Sequence, residues 1–135
     1  MEKQARPLVV VADPDPRSQQ LIISLLQREF RCIGANSLRE TYQVILREQP
    51  AVLILEPHQP DGDGVALIQH LQADSTLKKI LVACVTQRAT IMDKVRAFRA
   101  GADDFLVKPL PPATFTGQML LLWRAGHMAR AYNAR

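Results

Sequence analysis

The hydrophobic positions of this chain alternate between short continuous runs and segments with helical spacing. The apolar runs predict buried strands at 8–12, 32–35, 51–55, 80–85 and 105–107. Runs of this length without polar alternation are typical of parallel strands that are covered on both faces. After each run, apolar residues recur three and four positions apart, which predicts an amphipathic helix.

Proline, serine and glycine positions predict where the helices begin and end. Pro14 and Pro16 follow the first strand and allow a helix to start after them. Ser37 is a candidate N-cap of the second helix, and Pro50 ends that helix. Gly101 is a candidate C-cap of the fourth helix. The chain is therefore predicted to contain strands and helices in strict alternation.

Strict alternation predicts the fold class α/β, with a doubly wound parallel sheet and helices on both faces. In such folds ligands sit at the carboxyl ends of the strands. The polar residues that follow the first, third, fourth and fifth strands are Asp13, Glu56, Thr86 and Lys108. Two carboxylates, a hydroxyl and an ammonium group at one edge form a set suited to a divalent cation and to phosphate oxygens.

Charge and composition narrow the class of function. The 135-residue chain has a formal net charge of +4 and two cysteines, Cys32 and Cys84, which lie inside apolar runs. They predict neither a disulfide framework nor a metal site, so a reducing compartment is expected. The basic residues are scattered without a nucleic-acid motif, and the apolar runs are too short to span a bilayer. We therefore expect a cytoplasmic protein without direct nucleic-acid or membrane contacts.

Three segments of the sequence carry a family resemblance. The segment LVVVADPDP places an acid after the first strand. PAVLILEPHQPDGDG has Pro60, Asp63 and Gly64 in the family register, and AFRAGADDFLVKPL ends in the Lys108-Pro109 pair. The chain resembles the receiver domains of bacterial response regulators over residues 7 to about 125. The resemblance implies a CheY-like, flavodoxin-like sheet of strand order 2-1-3-4-5 and a role in two-component (phosphorelay) signal transduction.

The resemblance also implies a division of the chain. We expect an N-terminal tail at 1–6, a receiver domain at 7–125, and the end of the last helix with a tail or the start of a linker at 126–135. The length suits one domain. We expect this domain to be the first part of a longer protein, with a stand-alone regulator as the alternative.

Four positions depart from the family pattern. Glu56 occupies the phospho-acceptor position, where the family has aspartate. Ala12 replaces one member of the acidic pair after the first strand and leaves Asp13 as the other. Gln87 replaces the small residue that follows the switch hydroxyl. Phe105 fills the aromatic switch position of the fifth strand without a hydroxyl group.

These departures bear on phosphorylation. The extra methylene of Glu56 moves the attacking oxygen by about 1.5 Å, one carbon–carbon bond. A misplacement of about 1 Å can cost on the order of 10²-fold in rate. Only Asp13 and Glu56 remain as acidic ligands, so we expect weak Mg²⁺ binding at most. We expect no other metal or cofactor, and no enzymatic activity. The resemblance gives Thr86, Phe105 and Lys108 the switch and phosphate-contact positions.

The sequence leaves several functions open. Glu56 either mimics the phosphorylated state by holding Lys108 near Thr86, or is a relic that persists as an ion pair. A conventional receiver would be phosphorylated on another residue, namely Asp13, Asp61 or Asp63. A small phosphatase of the haloacid dehalogenase type is the enzymatic alternative. We expect a regulator that does not depend on phosphorylation and acts by binding proteins or a covalently linked output domain.

The last helix predicts a contact surface, because its five successive apolar residues at 119–123 wrap all sides of a helix. We expect the fourth helix, fifth strand and last helix to contact a partner or to form a homodimer. The interface candidates are Leu120, Leu121, Trp123, Arg96, Arg99, Asp103 and Asp104. His58, two positions after Glu56, is expected to face solvent.

Overall fold

A computed structural model describes residues 6–133 and the side chains of 6–129. Within that range a five-stranded parallel sheet is flanked by helices, and a short antiparallel hairpin lies beside it. The elements in chain order are β1 Leu8–Ala12, α1 Pro16–Leu26, β2 Arg31–Ala35, α2 Leu38–Glu48, β3 Val52–Leu55, β4 His58–Gln59, β5 Gly62–Asp63, α3 Gly64–Gln72, a 3₁₀ helix Leu77–Lys79, β6 Leu81–Thr86, α4 Ile91–Ala100, β7 Asp104–Val107 and α5 Pro112–Asn133.

The predicted sheet topology is confirmed. The order of the parallel sheet is β2-β1-β3-β6-β7, and β6 and β7 are the fourth and fifth strands of the predicted order 2-1-3-4-5. The β4–β5 hairpin was not predicted. Its strands have two residues each, too few for an alternating pattern, and they lie in a segment rich in proline, aspartate and glycine.

The first N–H groups of a helix have no acceptor within the helix, and a side chain accepts from one of them at the start of α1, α2 and α4. The Asp15 carboxylate accepts from Arg17 N at the start of α1. Ser37 caps α2 as predicted, accepting from Glu40 N. Thr90 caps α4 in a reciprocal pair with Asp93. Each cap follows a strand end closely, so the helices begin beside the carboxyl edge of the sheet.

Successive strand residues point to opposite sides of the sheet, and helices cover both sides. On one side, Val10 and Leu53 lie in a cluster with buried residues of α2, α3 and α4. On the other side, Val9 and Ile54 lie in a cluster with buried residues of α1 and α5. Burial also raises the pKa of the Cys84 thiol to about 12, so Cys84 serves as a small core residue.

Helix α4 packs against the sheet through small residues. Ala97 and Ala100 are its buried positions. Ile91 and Phe98, two members of the apolar stripe that predicted this helix, are 79% and 47% exposed. The periodicity therefore predicted the helix correctly, but much of its apolar surface faces solvent.

Helix α5 distributes its apolar residues between the core and the surface. Phe115 and Met119 are fully buried. Leu120 and Trp123 are partly buried and pack against the same cluster, whereas Leu121 is 69% exposed. Most of the five successive apolar residues at 119–123 therefore pack in or against the core, and Leu121 lies at the surface.

The described residues reach close to both ends of the chain. Helix α5 extends to Asn133, so most of the expected C-terminal segment at 126–135 is helical. The expected tail at 1–6 lies outside the described residues except for Arg6. No helix in the described part of the chain is long and apolar enough to cross a membrane.

We predict that Gly64→Ala lowers the free energy of unfolding by about 1–3 kcal/mol, the usual cost of overpacking. A Cβ at Gly64 would lie 2.7 Å from Pro57 Cα, a backbone atom of the loop that follows Glu56. Gly117→Ala is the matched control, because nothing lies within 4 Å of its added Cβ. It should stabilise helix α5 by about 0.5–1 kcal/mol. Chemical denaturation measures both, and equal effects would contradict the close approach at Gly64.

Candidate functional site

The polar residues predicted to converge do lie at the carboxyl edge of the sheet. Backbone hydrogen bonds continue from the strands into the site and fix these residues. Glu56 N donates to Ala12 O over 2.9 Å, and Lys108 N donates to Thr86 O over 2.9 Å. Asp13 follows β1 directly and is 2% exposed. The start of each functional segment is therefore tied to a neighbouring strand.

The Lys108 ammonium group contacts both carboxylates of the site. Its Nζ lies 2.8 Å from Asp13 Oδ2 and 3.4 Å from Glu56 Oε1. All three side chains are largely buried, with exposed fractions of 14% for Lys108, 3% for Asp13 and 12% for Glu56. The expected contact between Glu56 and Lys108 is therefore present, and Asp13 makes the shorter bond to the same ammonium group.

The remaining carboxylate oxygens also have donors. Asp13 Oδ1 accepts from Asp15 N over 2.9 Å. Glu56 Oε2 accepts from His58 N over 3.2 Å and lies 3.2 Å from the ring atom Nδ1 of the same residue. Buried charges are tolerated when they are paired and hydrogen-bonded. Both carboxylates meet this condition within the chain itself.

The expectation that His58 faces solvent is only partly correct. Its ring Nδ1 lies 3.2 Å from Glu56 Oε2 and 3.2 Å from Thr86 Oγ1, and 36% of its side chain is exposed. The β4–β5 hairpin pairs His58 with Asp63 and turns the ring toward the sheet. The sequence signal was weak because the position falls in a loop whose hairpin could not be predicted.

Thr86 is fully buried at the end of β6. Its Oγ1 accepts from Arg88 N over 3.2 Å and also faces His58 Nδ1. The predicted approach of Lys108 to Thr86 is indirect, since the ammonium group is hydrogen-bonded to Asp13 and Glu56. The path from Lys108 to Thr86 runs through Glu56 and His58.

Gln59 was not predicted as a site residue. Its amide Nε2 donates to Glu56 O over 2.9 Å and to Ala12 O over 3.3 Å, which joins the loop to the ends of β1 and β3. Its Oε1 is buried without a partner among the described residues. The side chain thus fixes the backbone on which Glu56 is presented.

The two remaining departures from the family pattern lie at the rim of the site. Gln87 is exposed and lines a pocket of about 200 Å³ together with Lys108. Phe105 is half-buried against the core and lines a cavity of about 580 Å³ with His58 and Arg88. Gln87 therefore shares a pocket with Lys108, and Phe105 shares a cavity with His58.

The acidic residues of the loop that follows Glu56 accept hydrogen bonds from turns and helix starts. Hydrogen bonds from Leu38 N and Arg39 N, at the start of α2, hold the pKa of Asp61 below its usual value. Partial burial alone would raise the pKa of Asp63. The hydrogen bonds from Arg96 and from Val65 N outweigh burial and lower it.

Several interface candidates also have partners within the chain. The Arg96 guanidinium lies 2.8 Å from Asp63 Oδ2. Asp103 accepts from Val82 N over 2.8 Å, and burial raises its pKa. Asp104 accepts from the next backbone N–H over 2.8 Å. Pairing of Arg96 with Asp103 or Asp104 of a second copy would therefore have to replace these internal bonds.

The residues present do not fit a Mg²⁺ ion well. Mg²⁺ requires near-octahedral oxygen ligands, and Ala12 supplies no carboxylate. The oxygens of Asp13 and Glu56 are bonded to Lys108, Asp15 N and His58. In the described residues no group of three acidic, histidine or cysteine side chains could hold a metal ion.

We predict that Lys108→Met lowers the free energy of unfolding by about 3 kcal/mol or more, since it leaves two buried carboxylates without their shared cation. Arg47→Met is the matched control. It removes an ion pair of 2.8 Å to Glu48, but the Arg47 side chain is 62% exposed, so the loss should stay under about 1 kcal/mol. Urea denaturation compares the two, and equal losses would contradict the structural role of Lys108.

Comparison with known protein families places these observations in context. The family model described as the response regulator receiver domain matches residues 9–119. The chain is 28% identical over 120 residues to the phosphate regulon transcriptional regulatory protein PhoB of Escherichia coli, which covers 89% of this chain and 52% of that protein. The transcriptional regulatory protein VxrB of Vibrio cholerae is 34% identical over 106 residues, 78% of this chain and 41% of that protein.

The fold has close counterparts among solved structures. A CheY-like receiver domain protein from Methanospirillum hungatei has a TM-score of 0.85 at 18% identity and covers 93% of this chain and 99% of that one. At that identity the likeness concerns the fold alone. The chain spans about half the length of PhoB, so the activity of a whole regulator does not transfer from these relatives.

Proposed function

We propose that this chain, which belongs to the response-regulator receiver domain family, is an atypical receiver that signals without being phosphorylated. The observation that carries the proposal is the engagement of Glu56. Its two oxygens are bonded to Lys108 and His58 at the position where the family has its phospho-acceptor. A carboxylate held in this way by the chain's own donors is a poor nucleophile toward a phosphodonor.

The surroundings of Glu56 support the proposal. In-line attack on phosphorus requires the reacting atoms to be aligned about 3–3.5 Å apart, and charge on the transferred group must be neutralised. Lys108 is already shared between two carboxylates, and the site lacks the acid that Ala12 replaces. The neutralisation of charge that acyl phosphate formation needs is therefore weakened.

We further propose that Glu56 acts as a partial mimic of the phosphorylated state. Its carboxylate contacts Lys108 directly and reaches Thr86 through His58. Mimicry is partial because a carboxylate carries one negative charge, whereas a phosphoryl group carries about 1.5 to 2. On this proposal the domain is a non-enzymatic cytoplasmic signalling module, and its output is a protein–protein contact.

We predict that the domain forms no acyl phosphate with acetyl phosphate and Mg²⁺. Intact mass should show no adduct of about 80 Da, the mass of one phosphoryl group. The Ala12→Asp/Glu56→Asp double variant is the positive comparison and should gain the adduct, because it restores the shorter acceptor and the missing metal ligand. A stoichiometric adduct on the unaltered chain would contradict the proposal. The residue that carries the phosphoryl group would then show whether Asp13, Asp61 or Asp63 is the acceptor.

We also predict poor Mg²⁺ affinity, measured by titration calorimetry. The unaltered domain should show no saturable binding in the micromolar range, which corresponds to about −8 kcal/mol. Ala12→Asp should bind measurably more tightly because it adds a carboxylate ligand beside Asp13. Tight binding by the unaltered domain would contradict the poor fit of the site.

The contact surface that we propose comprises α4, β7 and α5. Its exposed apolar residues are Ile91, Met92, Phe98, Val107, Leu121 and Met128, with exposed fractions between 41% and 79%. Exposed apolar patches are typical of interaction sites, so we propose that these side chains contribute to one. We propose that a second copy of the chain or a linked output domain covers this surface. Leu120 and Trp123 contribute less than expected because both pack against the core.

We predict that any self-association at tens of micromolar is weakened by Leu121→Glu and does not require a phosphodonor. A two-fold contact uses each residue twice, so one substitution is felt twice. Leu46→Glu is the matched control: Leu46 is 49% exposed but lies on α2. Analytical ultracentrifugation reports both. A dimer that is equally stable with Leu121→Glu would show that this surface is not the dimer interface. If the unaltered domain and both variants are monomers, a linked output domain remains the proposed partner.

A further inference from the structure

We propose that His58 is the positioning residue that couples Glu56 to the switch hydroxyl of Thr86. The inference rests on the proposed function and deepens it, because it names the group that carries the signal of Glu56 to the rest of the domain. His58 Nδ1 lies 3.2 Å from an oxygen of Glu56 and 3.2 Å from the oxygen of Thr86. One ring atom thus stands between the acceptor position and the switch position.

The chemistry of imidazole suits this position. A ring nitrogen donates a hydrogen bond when it carries a proton and accepts one when it does not. Thr86 Oγ1 already accepts from Arg88 N, so its own O–H remains available to donate to Nδ1. Nδ1 with a proton donates to Glu56 instead. The imidazole therefore has a partner in either tautomer, and it keeps both oxygens within hydrogen-bonding distance.

Three further contacts fix the ring. His58 N donates to Glu56 Oε2 over 3.2 Å, so the backbone and the ring of one residue hold the same carboxylate oxygen. The β4–β5 pairing places His58 opposite Asp63. The Gln59 amide ties the adjoining backbone to Glu56 O. With only 36% of its side chain exposed, His58 is restrained on the side that faces the site.

A chain of contacts within hydrogen-bonding distance follows, in which Nδ1 bonds to Glu56 or to Thr86 according to its tautomer. It runs from Lys108 through Glu56 and His58 to Thr86, and then to Arg88 N. Arg88 lies two residues before the Thr90 cap of α4. The path therefore joins the altered acceptor position to the start of the helix that carries the exposed Ile91 and Phe98.

The test compares two substitutions of His58 by nuclear magnetic resonance. His58→Leu keeps the bulk and removes the polar atom, whereas His58→Asn keeps a polar atom near the place of Nδ1. We expect His58→Leu to shift the Thr86 methyl and Arg88 amide signals and to speed exchange of the Arg88 amide hydrogen about fivefold, the size of one lost net hydrogen bond. His58→Asn should stay near the unaltered domain.

Two controls separate coupling from a general loosening of the fold. His70→Leu removes a ring that is also hydrogen-bonded, to Tyr42 OH over 3.0 Å, and it should leave the Thr86 and Arg88 signals unchanged. In a Thr86→Val background, His58→Leu should no longer affect the Arg88 amide, because the hydroxyl that transmits the change is gone. Thr86→Val alone should shift the ¹⁵Nδ1 signal of His58, a readout that needs no His58 variant.

The proposal is overturned if Arg88 and Thr86 do not respond to His58→Leu, if His58→Asn behaves like His58→Leu, or if the effect persists without the Thr86 hydroxyl. The measurement uses no phosphodonor. A phosphoryl adduct on the unaltered chain would therefore overturn the proposed function without changing the outcome for His58. Conversely, uncoupled His58 and Thr86 would leave the resistance to phosphorylation standing.

Discussion

The ammonium group of Lys108 is the contact on which the site depends. It lies after β7, and its two bonds reach a carboxylate after β1 and another after β3. Burying two carboxylates beside one another is unfavourable unless a cation and further donors compensate for the lost water. Lys108 provides the cation, and backbone N–H groups of Asp15 and His58 provide the remaining donors. These bonds link the segments that follow β1, β3 and β7 at the carboxyl edge of the sheet.

The geometry of the acceptor position follows from that constraint. Glutamate is one methylene longer than aspartate, and its carboxylate reaches both Lys108 and His58. On the proposed function the longer side chain acts as a fixed anion and not as a nucleophile, since positioning sets the rate of an in-line transfer. The loss of an acid at Ala12 acts in the same direction, because fewer carboxylates then compete for the shared cation.

The sequence predicted the sheet because its strands are continuous apolar runs, and strand order then placed Asp13, Glu56, Thr86 and Lys108 at one edge. It could not predict the role of His58. That role depends on a hairpin of two-residue strands, which leaves no periodic signal. The sequence also could not predict which face of α4 is exposed. Helical spacing shows that an apolar stripe exists but not which side of the helix packs on the sheet. The small side chains of Ala97 and Ala100 occupy the buried side.

The packing of α4 bears on how such a domain could act. Small residues at the buried side keep the helix close to the sheet, and the larger Ile91 and Phe98 are left outside. The loop from Thr86 to the Thr90 cap of this helix is short, and Thr86 accepts a hydrogen bond from Arg88 N within it. On the proposed function the anion is a permanent side chain, so no kinase governs that bond. On the proposed function, control then rests on the amount of the protein and on access to its apolar surface, and the free energy for partner binding comes from covering side chains that the core leaves exposed.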